Sequence, residues 1–228
     1  MILHSKVSHA SREAGFSLVE MLAVIAITVI LLTAGISLLA GTGVQSRKTS
    51  SDLLAGLIEQ ARTLAITSRS CVVLAVAEPG DLPGDDERCR LGLFKIPEWP
   101  DGVSSPTALT GVQVSRWQIL ETGIVLLAGS VGGVMNPIDQ PEVTLTYGGA
   151  KNLSAKVHFI AFNTRGRLCC PVDPTAVVQP AIAMRIAEGG YRGSPRKAVA
   201  NLRGSQRTIA ENRLQVGRVV ARPYRIDG

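Results

Sequence analysis

At 228 residues, 46% hydrophobic but only 4% aromatic, the chain has room for one modest domain with an aliphatic core behind an apolar N-terminal segment. The net charge is +6, and the four cysteines contain no C-x-x-C, which excludes a thioredoxin motif and a zinc knuckle. H-E-x-x-H, P-loop, Rossmann and G-x-S-x-G patterns are all missing from the sequence, so no enzyme, no cofactor and no resident metal is expected.

Residues 1–15, MILHSKVSHASREAG, are short, polar and basic and read as a leader. His4 and His9 fall within it, which leaves His158 as the one histidine of a processed chain. From Phe16 to Ala40, Glu20 is the only charge. As a helix this run is roughly 37 Å long, enough to cross a hydrocarbon layer of about 30 Å, and it lacks the polar face of a soluble helix. The expected organisation is therefore a leader over 1–15, a transmembrane helix over 16–44, an amphipathic extension over 45–70 and a β-rich globular domain over 71–228. The competing reading is a long cleaved signal ending near Ala40–Gly43, where Leu38-Leu39-Ala40 makes a poor small-x-small site.

A carboxylate inside such a run costs on the order of 2.5–3.5 kcal/mol near mid-membrane and calls for a partner. No Lys or Arg stands within a turn or two of Glu20. Cleavage between Gly15 and Phe16 would create an α-ammonium on Phe16, one helical turn before Glu20 and on its face. That amine can pair with Glu20 of its own chain or of a neighbour, and in the second case it sets the axial register of stacked helices. The alternative is a Glu near the interface that snorkels or takes a proton.

Gly15-Phe16-Ser17-Leu18-Val19-Glu20-Met21-Leu22 closely resembles the class III signal of type IV pilins and type II secretion pseudopilins. The resemblance implies cleavage after Gly15 by a membrane aspartyl peptidase, N-methylation of Phe16 and a role for Glu20 in guiding subunit assembly. It implies as partners the prepilin peptidase, the other pilins or pseudopilins of a fibre, and inner-membrane lipid. It also implies a single-pass protein of a Gram-negative inner membrane, with the globular domain in the periplasm. Charge does not decide this orientation, since Lys6 and Arg12 precede the apolar run while Arg47 and Lys48 follow it. Many pilins carry a Pro in the second half of this helix; here Gly35 and Ser37 stand without one.

Residues 41–51 break the apolar run, and Gly41 and Gly43 are expected to loosen the helix. In 52–70, Leu53, Leu54, Leu57, Ile58, Ala61, Leu64 and Ala65 form one apolar stripe that predicts a helix packed on a sheet. The period then changes. CVVLAVA (71–77) and LGLFKI (91–96) read as strands around a loop rich in Pro, Gly and acid, whose Asp81, Asp85, Asp86 and Glu87 have no EF-hand spacing. Cys71 and Cys89 bracket this loop, and a bridge between them would staple a hairpin. With Cys169 and Cys170 three full connectivities are open, or a vicinal disulfide. Residues 97–113 read as a loop, and SRWQILET (115–122) and GIVLLA (123–128) as strands joined at a Gly turn. VTLTY (143–147), KVHFIAF (156–162), AIAMRIAE (181–188) and RLQVGRVVARPY (213–224) complete the predicted strands, with Pro223 closing the last. NTRGRLCCPVDP (163–174) reads as a turn, and His158 as a structural histidine.

From Arg185 to Gly228 ten Lys/Arg stand against three carboxylates, a net +7. Arg192, Arg196, Lys197, Arg203, Arg207, Arg218, Arg222 and Arg225 are candidate contacts to DNA phosphates or an acidic partner, though Tyr191 and Tyr224 are the only interleaved aromatics. The helical segment followed by ARTLAITSRSCVVLAV and a β-rich remainder with FIAFNTRGR resembles the GspH/FimT group of minor pseudopilins and minor pilins. The ending GRVVARPY is also similar to pilin-like D proteins of verrucomicrobial cassettes. The implied fold is α+β and pilin-like, a long N-terminal helix packed on a β-rich domain. The implied function is that of a structural minor pseudopilin or pilin-like subunit, and the second function is that of a DNA-binding minor pilin.

Overall fold

The computed structural model describes residues 18–82, 87–99, 106–130, 132–149, 152–170, 181–194, 196–203, 208–217 and 223–226, with side chains at all of these except 32–42, 203 and 226. The chain divides into two units, Met1–Thr42 and Gly43–Gly228. One helix, α1, spans Leu18–Ser68. Gly41 and Gly43 lie within it, contrary to the expected loosening; a helical glycine costs only about 1 kcal/mol, which tertiary packing overrides. Arg69, with φ of 50°, takes the left-handed position that ends the helix.

In the first unit, described side chains from Leu18 to Leu31 are exposed, among them Leu18 at 79% and Ile30 at 65%. Among the described residues no helix is long and apolar enough to cross a membrane. The transmembrane helix expected over 16–44 is therefore not met among the described residues.

The second unit is β-rich, as expected. Its strands are β1 (Cys71–Ala77), β2 (Arg90–Ile96), β3 (Ala108–Thr110), β4 (Val112–Gln113), β5 (Gln118–Ile119), β6 (Ile124–Leu127), β7 (Val143–Tyr147), β8 (Leu153–Phe162), β9 (Leu168–Cys170), β10 (Ala181–Arg192), β11 (Lys197–Ala200), β12 (Leu202–Arg203), β13 (Thr208–Ile209), β14 (Glu211–Gly217) and β15 (Pro223–Ile226). The first sheet runs β3-β7-β8-β1-β2-β4, with β5 added to β2 and β9 to β8. The second runs β11-β10-β14-β15, with β6 added to β10, and β12 pairs with β13 alone. Only the β3–β7 pair among these strands is parallel.

Leu54, Leu57, Ile58, Ala61 and Ala65 of α1 are buried, with Leu53 and Leu64 packed at the margin, so the predicted stripe is the buried face. It meets Leu74, Leu91, Leu93 and Phe162 of the first sheet and Ile182, Met184, Ile186, Leu214 and Val216 of the second. The other face of the first sheet builds a separate core from Val73, Phe94, Ile96, Leu145, Val157 and Phe159. Strand β1 is thus buried on both faces, which is why CVVLAVA shows no alternation. The scarce aromatics gather in the second core, where Phe94 lies 5.3 Å from Trp117 and 5.2 Å from Tyr147 between ring centroids. The aliphatic core expected from composition describes the layer under the helix, where Phe162 is the one aromatic among its buried members, and not the second core.

The segments 115–122 and 123–128 are joined at a turn at Gly123, as expected, and that turn hands the chain between sheets: β5 joins the first through β2 and β6 the second through β10. Three expectations change. The stretch 97–113, expected to be a loop, carries β3 and β4. The vicinal cysteines sit on a strand, β9, and not in a turn. The last predicted strand is two, β14 and β15, paired antiparallel, and Pro223 opens β15 where its missing N–H is tolerated.

Candidate functional site

Glu20 lies in the first turn of α1 and is exposed, a position where the helix dipole favours a carboxylate. Around it Leu18, Val19, Met21, Leu22, Val24 and Ile25 are all more than half exposed. This is an apolar surface interrupted by one acid, the arrangement that lipid or the helices of other subunits would cover. Gly15 and Phe16 lie outside the described residues.

At the start of the second unit, α1 is tied to the sheets by charge. Arg47 lies 3.4 Å from Glu188 of β10 and donates to Asn212 Oδ1 of β14 at 3.2 Å. Gly43 makes room for this contact, since a Cβ there would stand 2.7 Å from the Glu188 carboxylate. Arg225 of β15 lies 2.6 Å from Asp52 of the helix. Glu211 takes Arg185 at 2.7 Å and Arg213 at 2.8 Å. Burial would raise the Glu211 pKa, but the hydrogen bonds from Arg185 and Arg213 outweigh it and hold the carboxyl below its ordinary value.

The basic C-terminal segment is therefore partly an internal network and not one free stripe. Arg225 is engaged with the helix. Arg196 and Lys197 line an acidic concavity described below. Arg192 ends β10 exposed, and Arg203 falls on β12. Arg207, Arg218 and Arg222 lie outside the described residues.

The four cysteines are thiols. Cys71 pairs with Ile96 at one end of the β1–β2 hairpin, while Cys89 precedes Arg90 at the other, opposite Ala77. Six residues of strand span about 20 Å, far beyond the roughly 7 Å between Cα atoms that a disulfide bridges. The expected hairpin staple from Cys71 to Cys89 is excluded, because Cys71 begins the strand that leads to the loop and does not flank the loop itself. Cys71 instead faces Cys169: a hydrogen bond between the two thiols, then burial, raises the Cys71 pKa. Cys169 also donates to the Ala161 carbonyl at 3.4 Å. Cys89 is fully buried beside the Tyr191 hydroxyl, and burial pushes both groups up.

The concavity is assembled at the end of the first sheet. Beyond β1, Glu78 and Asp81 form a turn in which Asp81 Oδ2 accepts from the Glu78 N–H at 2.9 Å. Asn136, fully buried, donates to the Leu127 carbonyl at 2.7 Å and accepts from the Ile138 N–H at 3.1 Å, fixing a short 3-10 turn over Pro137–Asp139. Gln140, which follows it, presents its carbonyl to Nδ1 of His158 at 3.0 Å. Burial lowers the His158 pKa, with Glu142, the Gln140 carbonyl and Asp139 opposing, and because that carbonyl can only accept, Nδ1 carries a proton. Glu78 is pushed up to about 7 by burial, then by Asp81 and Glu142, and Asp81 to about 6 by burial and Glu142. This cluster is not legible in the sequence, because its members are separated by long stretches of chain and meet through strand pairing.

These shifts carry a pH dependence. A raised carboxyl pKa means that the folded chain holds more protons than the unfolded one from about pH 4.5 to 7, so stability falls as pH rises through that window. Both groups are partly solvated, which reduces the effect to on the order of 1 kcal/mol. Glu211 acts in the other direction and below this window: its contribution is complete above its unfolded pKa and is lost as pH falls. Urea midpoints in chelator-treated buffer are expected to drop between pH 5 and 7.5, and Glu78→Gln to flatten that drop.

Residues 10–36 match the model of the prokaryotic N-terminal methylation motif. No curated protein and no solved structure matches the chain. The match covers the octet from Gly15 to Leu22 and the first turns of α1, so the chain carries a class III prepilin-like signal.

Proposed function

We propose that the chain is a structural subunit of a type II secretion pseudopilus or type IV pilus-like fibre, a minor pseudopilin in role. It is made as a precursor, cut after Gly15 by prepilin peptidase and N-methylated on Phe16. The apolar helix anchors it in the inner membrane until assembly, with the β-rich domain in the periplasm. The observation that carries this is the methylation motif over residues 10–36, set on a helix whose described N-terminal side chains are apolar and exposed. The domain is non-catalytic in this reading: it is displayed by the helix and held to it by the Arg47–Glu188 and Arg225–Asp52 pairs. DNA capture is the weaker reading, since Arg225 of the basic segment is paired within the domain and Arg196 and Lys197 border acids.

Mass spectrometry of the native protein tests it. The expected N-terminus is N-methylated Phe16, and an intact leader or a different first residue would refute the assignment. Glu20→Ala is expected to insert in the membrane normally while its recovery in sheared fibres drops at least tenfold. Normal incorporation of that variant would remove the pairing of Glu20 with a neighbouring N-terminal amine.

A further inference from the structure

Three neighbouring strands bring their ligand-bearing residues to one place. His158 lies on β8, opposite Val76 of β1. Glu78 follows two residues after Val76, on the same side of the strand. Glu142 directly precedes Val143 of β7, whose partner on β8 is Val157. The central strand thus supplies an imidazole and the strand on each side supplies a carboxylate. One ligand atom from each of Glu78, Glu142 and His158 lies within 4.8 Å of the other two.

The contacts these groups make leave their acceptor atoms facing one another. His158 is 8% exposed, and its Nδ1–H is spent on the Gln140 carbonyl. Its Nε2 lone pair faces Glu142 Oε1, 3.9 Å away and beyond hydrogen-bond reach. Among the described residues the Glu78 side chain accepts no hydrogen bond, and Glu142 has only this approach to His158. Three converging acceptors repel once the carboxyls are ionised, and a proton or a cation among them relieves that repulsion. A backbone carbonyl holding Nδ1–H so that Nε2 points inward is the outer-sphere arrangement of metal-bound histidine. Asp81 adds a further carboxylate at the edge, and Lys156, Arg196 and Lys197 line the surrounding walls.

We propose that Glu78, Glu142 and His158 form a binding site for a divalent transition-metal cation, of the Zn²⁺ or Mn²⁺ class, that clasps the ends of β1, β7 and β8. One imidazole nitrogen with two carboxylates suits these ions better than Ca²⁺, which takes oxygen donors throughout. Bonds of about 2.0–2.2 Å hold the ligand atoms of a tetrahedral ion roughly 3.4 Å apart, so side-chain rotations that move these atoms by about 1 Å close the site. Two carboxylates balance the ion's charge. This site is independent of the N-terminal signal and stands or falls apart from it.

The test uses the whole purified chain in detergent, stripped with EDTA. Calorimetric titration with Zn²⁺ and with Mn²⁺ is expected to show one equivalent bound, and saturating ion to raise the unfolding temperature by several degrees. Glu142→Gln, whose side chain is 37% exposed and removable without disturbing the core, is expected to weaken binding at least tenfold, and His158→Gln likewise. The double variant Cys71→Ser, Cys169→Ser is expected to bind as the parent does. Co²⁺ should give the ligand-field spectrum of nitrogen and oxygen donors. No saturable binding up to millimolar ion, unchanged binding in Glu142→Gln, or a thiolate-to-cobalt charge-transfer band would each overturn the proposal.

Discussion

Replacing Phe162 with alanine is expected to destabilise the chain by about 3–5 kcal/mol. The ring is 0% exposed and is one of the largest fully buried side chains. It belongs to the core in which α1 meets both sheets. Its strand is held on both edges, with Val72 of β1 opposite it on one side and Leu168 of β9 on the other. The backbone therefore cannot move in to fill the space, and the cavity term adds in full to the lost transfer energy. Urea unfolding of the purified chain, followed by tryptophan fluorescence, measures it. Trp99 and Trp117 pack against the other core, so their signal reports unfolding of the domain and not a change beside the substituted ring. Leu153→Ala, on the same strand but 44% exposed, should stay within about 0.5 kcal/mol of the parent. A loss below about 1.5 kcal/mol for Phe162→Ala would show that the core beneath the helix is not closed.

Gly189→Ala is expected to cost about 1–3 kcal/mol, as overpacking does where the neighbour cannot yield. A Cβ at this position would run into the carbonyl oxygen of Val199, with the Ala200 Cα and Val125 Cγ2 each 3.0 Å away. The first two are backbone atoms of β11, which pairs Gly189 with Ala200 and Gly190 with Val199. Relief requires β11 to separate from β10, and the Val125 side chain of β6 blocks movement on its side. Amide exchange should therefore show lost protection over Lys197–Ala200 while β14 keeps its own. Gly190→Ala is the control: no atom lies within 4 Å of a Cβ there, so its cost should be several-fold smaller. Equal effects at the two positions would mean that strand propensity and not the close approach governs this edge.

Parts of this molecule that depend on neighbours in the sequence were legible without coordinates. The spacing of Leu54, Leu57, Ile58, Ala61 and Ala65 identified the buried face of α1, because a helix brings every third or fourth residue to one side. CVVLAVA identified a strand by its run of apolar residues. The prepilin-like signal is contiguous and matches the methylation motif. Gly15, Phe16 and Glu20 carry the proposed function without any help from the fold.

What the tertiary structure alone decided depends on strand pairing, which local pattern does not encode. The turn at Gly123 is legible in the sequence, but not that it sends β5 and β6 to different sheets, because each finds its hydrogen bonds on a distant strand. Cys71 and Cys89 look like the ends of a loop in the sequence and are the two ends of a ladder in space. The arginines of the C-terminal segment read as one positive stripe, yet Arg185 and Arg225 find carboxylates on other elements, and Arg213 finds Glu211 on its own strand. Glu78, Glu142 and His158 are unremarkable one by one. They become a constellation only because β8 lies between β1 and β7, so that antiparallel register, a long-range property, sets which side chains share a neighbourhood.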